Sequence, residues 1–530
     1  METQEIIVRE LINKRSATSA DLARIKRDIA KKYGISCPQN AQLLAEYHRL
    51  QRNKRIRQNA ALEYLLRKRK IRSLSGVAVV SALTRPYPCG GKCIYCPTQS
   101  GAPKSYLDGE PAVMRALQYR YDPYKQVQSR IKTLEENGHP TDKIDLRIIG
   151  GTWSYNPKRY QHWFVKRCFA ACNEYGKKAT TQLKKLGTLQ KKNENAKHRI
   201  IGLNIETRPD CINVAEARRL RKLGVTHVEL GVQTVYDDVL SLNKRGHGID
   251  AVINATKLLK DAGFKVCYHM MPNLPGSTPK KDIQMFKELF DNPGFRPDHL
   301  KIYPCALVKE APLYWIKERI GFRSYSAAEL VNILREAKKH IPYYCRIQRI
   351  LRDIPSPYIV EGGTKVSNLR QVIAREMAKE GMLCKCIRCR EVKENYDPKE
   401  KLRLFREDYD ASESKEIFLS FENKNRTKLY SLLRLRIPFA ATKPLFPALK
   451  NAVLIREIHT YGQLHPLQSA AFSPQHKGLG KKLMAEAEKI AGREFGFTKI
   501  AVISGVGTRN YYRKLNYRLT GTYMTKKLRG

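Results

Sequence analysis

The sequence predicts an α/β protein: a sheet of parallel strands, open or rolled into a partial barrel, then a mixed α/β module, with a basic helical extension in front. Three observations predict it. The β-rich runs GVAVVSAL, KIDLRIIG, RIIGLNIE, VTHVELGV, FKVCYHMM and DHLKIY alternate with helix-length segments between Val77 and Tyr303, the rhythm of parallel strands joined by crossover helices. From about Tyr396 the order changes to a strand at Glu416 to Phe421, another in NAVLIREIHTYG, a glycine loop entering a long helix, then KIAVIS and a further helix. Before the first strand, ARIKRDIAKKYG and AEYHRLQRNKRIRQNAALEYLLRKRKIR are helical in period, with Leu43, Tyr47 and Leu50 on one apolar face and Leu62, Leu65 and Leu66 on another. The divisions fall at residues 1–75 for the extension, 76–340 for the sheet, 341–395 for a cysteine-bearing linker and 396–530 for the mixed module. The Lys-rich stretch from Lys177 to Arg199 has little apolar period and reads as a surface insertion.

Composition narrows the function classes. A length of 530 residues suits three or four domains, and 42% hydrophobic with 28% charged residues excludes a wholly disordered chain. Lys and Arg number 99 against 50 Asp and Glu, a formal charge of +49. Self-repulsion on that scale points to a polyanionic partner, with nucleic acid ahead of an anionic membrane. No apolar run is long enough to span a membrane, and METQEIIVRELINKR lacks an apolar presequence core. The expected compartment is the cytoplasm, where thirteen cysteines are not a disulfide framework.

Six of those cysteines form two tight groups. Cys89, Cys93 and Cys96 lie in PYPCGGKCIYCPTQ with C-x3-C-x2-C spacing. Three thiolates without a nearby fourth ligand suit a [4Fe–4S] cluster with one open iron; a zinc loop is the alternative. The other β runs end in polar or glycine motifs: Gly150, Gly151 and Thr152 after the second, Glu206 at the third, Gln233 at the fourth. α/β barrels place their sites at this end of the strands.

These residues resemble the radical S-adenosylmethionine superfamily over roughly 75 to 305, which implies a partial (β/α)6 barrel. The resemblance implies that the open iron binds the amino and carboxylate groups of S-adenosylmethionine, that Tyr95 lies near the adenine, and that Gly150, Gly151, Thr152, Glu206 and Gln233 surround the cofactor. It also implies reductive cleavage to a 5′-deoxyadenosyl radical that abstracts hydrogen from an unactivated carbon.

SPQHKGLGKKLMAEAEKIA carries Gln475, Gly478 and Gly480 in Q-x-x-G-x-G spacing between a strand and a helix. Backbone N–H groups opened by glycines at a helix start can hold a pyrophosphate, whereas the alternative is a plain helix-entry turn. The pattern is similar to the acetyl-CoA loop of GCN5-type N-acetyltransferases. That resemblance implies acetyl-CoA contacts from Gln475, His476, Lys477, Gly478, Leu479, Gly480 and Lys481, from Glu457, Ile458 and His459 on the preceding strand, and from Asn510 and Tyr512. It places a tyrosine, Tyr511 or Tyr512, beside the CoA sulfur as acid to the leaving thiolate.

The two modules in this order, with YDPYKQ, IIGGTW, GLNIETRPD, GVQTVYD, QHKGLG and GTRNYYRKLNY, closely resemble the catalytic-subunit family of Elongator. The resemblance implies a tRNA wobble-uridine carboxymethyl synthase, in which the acetyl methyl carbon is joined to uridine C5 and hydrolysis and electron loss complete the product. It adds Lys143 as an acetyl-CoA contact and accessory subunits as further partners. The charge itself favours RNA over a Lys-rich protein tail; Arg346, Arg349 and Arg352 are the expected tRNA contacts. A protein lysine acetyltransferase with a structural cluster and a tRNA-binding scaffold are the competing readings. The second group, Cys384, Cys386 and Cys389 in C-x-C-x2-C spacing, suggests a zinc ion stapling the linker, with His340 or Cys345 as candidate fourth ligand.

Overall fold

The computed structural model describes residues 2–14, 17–68, 73–177, 184–362, 365, 368–393, 396–439, 442–462 and 477–528. The chain opens with helices α1 (Thr3–Asn13), α2 (Ser19–Lys32), α3 (Asn40–Arg52) and α4 (Ala60–Leu66). Local signals start them: Thr18 and Asp21 form a capping box, and Asn59 accepts from the Leu62 amide. Leu43, Tyr47, Leu50, Leu62, Leu65 and Leu66 are buried together with Ile7, Leu11 and Ile25 in a small core of their own. Packing against neighbours, not helix propensity, is what holds helices this short.

Next comes a sheet of β1 (Ala78–Leu83), β2 (Lys143–Ile149), β3 (Arg199–Thr207), β4 (His227–Gln233), β5 (Lys265–Met270) and β6 (His299–Ile302), all parallel and paired in chain order. A short β7 (Leu307–Val308) lies outside it, and β8 (Arg346–Ile350) adds a seventh parallel strand beside β6. A six-strand expectation thus gains one strand, because RIQRI alternates charge with two isoleucines and reads as a basic cluster. β7 pairs with β9 (Ile359–Glu361) in a separate two-stranded sheet.

Successive strand residues face opposite sides. Val228, Leu230 and Val232 on β4 belong to the large buried core, with Phe164, Leu220, Leu259 and Phe286 from the crossover helices. The opposite face of the same strand carries His227, Glu229, Gly231 and Gln233. Gly224 ends the helix before β4 at φ +95°, which a residue with a Cβ adopts at a cost.

The last module is a second seven-stranded sheet, β10 (Arg403–Asp410), β11 (Ser414–Glu422), β12 (Leu429–Pro438), β13 (Val453–Thr460), β14 (Lys499–Val502), β15 (Arg518–Thr520) and β16 (Tyr523–Lys527), in the order β10-β11-β12-β13-β14-β16-β15. β13 and β14 are parallel and pair only from Val453 to Ile455, so the rest of β13 is open on that side. The register with β12 slips between Arg434 and Leu435, making Arg456 the extra residue of a bulge.

That bulge joins the modules. Arg456 and Asp298, the residue before β6, are both fully buried; the guanidinium donates to the carboxylate at 2.5 and 2.9 Å and to the Phe264 carbonyl at 2.7 Å. Arg436 reaches Asp261 at 2.5 Å, and Arg434 reaches Glu457 at 2.9 Å, which pairs with Lys265 at 3.2 Å. Every barrel partner here lies at or just before the start of a strand. The Lys177–Arg199 stretch also joins in: its described part holds a helix, Leu186–Asn193, with Leu186 and Leu189 buried, and Glu194 takes Arg509 at 3.0 Å and Arg513 at 2.6 Å. Two leucines give too short an apolar period to reveal that docking in the sequence.

Removing one partner of a buried pair leaves an uncompensated charge, at about 3–5 kcal/mol. Asp298→Ala is therefore expected to lower unfolding stability in urea by roughly that amount. An unchanged midpoint would show that the pair does not secure the interface.

Candidate active site

The strand ends open into one cavity of about 720 Å³. Cys89, Cys93 and Cys96 line it together with Tyr95, Gly151, Thr152, Glu206 and Gln233. The sequence spread these over some 145 positions; parallel register brings them together. Gly150 does not line the cavity. It packs against the residue after β1, where an added Cβ would meet Thr84 Oγ1 at 2.2 Å, and its φ of +128° excludes other residues. Gln233 holds the left-handed conformation at φ 77°, uncommon for a non-glycine residue. Its carbonyl accepts from the Met271 amide.

The three thiols do not all lie within 4.8 Å of one another, unlike the set Cys384, Cys386 and Cys389, which does. A single ion with sulfur bonds of about 2.3 Å fits the second trio and not the first. A larger iron–sulfur cluster fits the first, a thiol-only donor set on a cavity wall. Arg245 Nη1 lies 3.5 Å from Cys93 Sγ, positive charge where thiolates would form. Burial pushes the Cys96 thiol up to about 12, and the neighbouring Cys93 sulfur pushes the same way.

Further side chains complete the wall that sequence reasoning missed. Tyr106 donates to Glu206 at 2.9 Å, and Lys301 lies 3.5 Å from the same carboxylate. Lys301 also contacts Glu229, which accepts from His269 Nε2 at 2.6 Å and Asn204 at 2.5 Å. The signal was present as alternation: Glu229 and Lys301 fall at inward positions between apolar neighbours that face the core.

The arginines divide. Arg349 and Arg352 line the cavity; Arg349 pairs with Asp353, and Arg352 pairs with Glu110 at 2.7 Å and covers the Tyr106 ring. Arg346 instead points to the linker and last module, at 2.8 Å from Glu391 and 3.1 Å from the Tyr461 hydroxyl.

At the other end of the strands, the helix Leu479–Lys489 starts beside the open half of β13. A Cβ on Gly480 would meet the Tyr511 hydroxyl at 3.1 Å, Ile458 at 3.7 Å and Thr460 at 3.8 Å. Tyr511 is 37% exposed, while Tyr512 is 5% exposed and packs in the module core with Tyr517. Gly478 caps the helix at φ 69°, and Leu479 is buried. Lys477 donates to the Pro398 carbonyl, and Lys481 is exposed. Gln475 and His476 lie outside the described residues. Asn510 turns away from the glycine loop to bond Asn195 at 2.8 Å. Glu457 is partly buried, and Lys265, His299 and Arg434 hold its carboxyl well below the usual range. Burial pushes the His459 imidazole down to about 4, which keeps it neutral. The Lys143 side chain is partly exposed, at the start of β2.

Residues 87–290 match the Radical SAM superfamily and residues 297–379 its C-terminal domain. A tRNA uridine(34) acetyltransferase of Methanocaldococcus infernus is 44% identical over 99% of this chain and 98% of its own length. The chain belongs to that family, which includes Elongator complex protein 3. The Homo sapiens member is 37% identical over 96% of this chain and 93% of its own. A solved structure of the Methanocaldococcus infernus family protein, with N-terminal residues 1–46 deleted, has a TM-score of 0.74 at 44% identity, covering 86% of this chain and 100% of that one. Radical SAM membership brings a [4Fe–4S] cluster and S-adenosylmethionine with it. Among the described residues no helix is long and apolar enough to cross a membrane.

Because burial keeps the Cys96 thiol protonated at neutral pH, assembling the cluster must release protons. The apparent affinity for iron in anaerobic reconstitution is expected to rise from pH 6.5 to 8.5 when followed by charge-transfer absorbance. A flat response would mean that the thiols are already ionised.

Proposed function

We propose that the chain modifies the wobble uridine of tRNA, attaching at C5 a carboxymethyl group whose two carbons come from acetyl-CoA. The observation that carries this is one polypeptide that joins a thiol-walled cavity at the ends of a parallel sheet to a sheet splayed at a glycine-capped helix. Family membership supports the tRNA position. A cytoplasmic location and accessory subunits belong to the same reading.

Cys89, Cys93 and Cys96 would hold the cluster, which with S-adenosylmethionine supplies a carbon-centred radical able to take hydrogen from an unactivated carbon. The chain supplies the positioning. Gly151 and Thr152 present backbone to the cofactor, and Glu206, fixed by Tyr106 and Lys301, offers a carboxylate acceptor for its ammonium or hydroxyl groups. Arg245 beside Cys93 sets a positive charge against the cluster's sulfur ligands.

On the last module, Gly478, Gly480 and the amides that open the helix suit a pyrophosphate, and Lys481 adds charge. Tyr511, next to Gly480, offers its hydroxyl to the thioester end of the bound CoA; the buried Tyr512 supports it. Glu457, Ile458 and His459 line β13, with Lys143 across the seam. The two sites face opposite ends of strands about 20 Å long, so the acyl end must travel that distance to meet the cofactor. Arg349, half-buried on the cavity wall, suits an RNA phosphate, as do the cations of the N-terminal helices. A zinc ion on Cys384, Cys386 and Cys389 would fix the linker between the sheets, with Cys345 close to Cys386.

Anaerobic incubation of reconstituted enzyme with S-adenosylmethionine, acetyl-CoA, reductant and tRNA is expected to yield 5′-deoxyadenosine and 5-carboxymethyluridine. Cys93→Ser is expected to abolish both products while leaving salt-sensitive tRNA binding intact. Acetyl-lysine on a protein acceptor without cofactor cleavage would refute the reading, as would loss of tRNA binding with the cluster.

A further inference from the structure

The inner face of a closed α/β barrel is normally filled by Val, Ile and Leu. Here the floor of the cavity is ionic. Glu229 is almost fully buried, and three strands converge on it: Lys301 from β6, His269 from β5 and Asn204 from β3. None of these side chains is needed to hold a cluster or to bind CoA. Burying a charge without a purpose is costly, even when it is paired.

The arrangement could be mistaken for a cation site, since Glu206, Glu229 and His269 offer atoms within 4.8 Å of one another. The Lys301 ammonium already sits between the two carboxylates. It supplies the positive charge that an ion would bring.

What remains is an oriented imidazole. A carboxylate only accepts, so His269 Nε2 carries the hydrogen and Nδ1 is left as the basic nitrogen. Glu229 is itself fixed by Asn204 and Lys301, so the ring cannot turn without breaking its bond. His269 lines the cavity, and the groups facing it are Glu229, Glu206, Lys301 and the Tyr303 ring, whose centroid is 5.4 Å away, with Arg147 next to Glu229. An imidazole backed by a carboxylate is suited to take a proton from water and return it to a leaving group.

The function proposed above contains one step that requires this. Once the two-carbon unit is joined to uridine C5 it is still a CoA thioester, and the product is a free acid. We propose that His269, oriented by Glu229, is the general base that activates water for hydrolysis of this tRNA-linked thioester, with Lys301 beside the developing oxyanion. Water oxygen bonds to the carbonyl carbon while its proton passes to His269 Nδ1. The C–S bond then breaks, and the imidazolium returns the proton to the CoA thiolate. The carboxylic acid formed loses its own proton to solvent. No oxidant or further reactant is required.

The proposal rests on the carboxymethyl reading, and the test separates the two. Reconstituted full-length enzyme is incubated with tRNA, acetyl-CoA, S-adenosylmethionine and reductant, and the RNA is analysed by mass spectrometry. His269→Gln is expected to cleave S-adenosylmethionine and to accumulate tRNA carrying the intact CoA thioester, with free-acid formation down about 10²–10⁴-fold. His269→Ala with added imidazole is expected to regain the free acid, which a purely structural role would not allow. Free acid at the wild-type rate in both variants overturns the assignment. So does loss of cofactor cleavage in both, which would place His269 in an earlier step. If the wild-type enzyme makes no carboxymethyluridine, the reading of the activity falls instead.

Discussion

One buried carboxylate fixes the relation between the two halves of this protein. Asp298 stands at the start of β6, out of reach of water, and its charge is met by Arg456 of the other module, with Arg434 at 3.6 Å. A charge in that position tolerates no looser docking, because any gap would leave it unpaired in a low-dielectric seam. Arg456 reaches it because β13 carries a bulge there. The same bulge sets Glu457 against Lys265 and His299, under the lower end of the barrel. The placement of β13 thus follows from an electrostatic requirement as much as from apolar area.

The barrel separates stability from chemistry by strand face. Outward positions such as Val228, Leu230 and Val232 pack against helices and form the core. Inward positions are released from that duty, and they carry His227, Glu229, His269, His299, Lys301 and Glu206. Polar layers therefore run from the module seam to the cysteine loop along β4 and β6. Such an interior is tolerable only because its charges are paired, and pairing is also what orients the groups.

Much of this was legible in the sequence. Six of the seven parallel strands and the motifs at their ends follow from the alternation of β-rich runs with helix-length segments and from the rule that barrel sites lie where strands end. Lost from view were features that depend on the register between distant segments. RIQRI looked like a basic patch because strand pairing had no local sign, so Arg346 proved to be an interface residue and not a surface one. Gly150 belongs to the approach of β1 and β2, and Asn510 to the docking of Glu194 and its neighbour. The Glu229–His269–Lys301 cluster draws on three strands, and no single window contains it.

The central claim is that both modules act on one acetyl group, whose methyl carbon gives up hydrogen in the thiol-lined cavity. Acetyl-CoA deuterated at that methyl, supplied with tRNA, S-adenosylmethionine and reductant, tests it most directly. Mass spectrometry of the recovered 5′-deoxyadenosine should show deuterium, together with a labelled modified uridine. Modified uridine accompanied only by unlabelled 5′-deoxyadenosine would contradict the account.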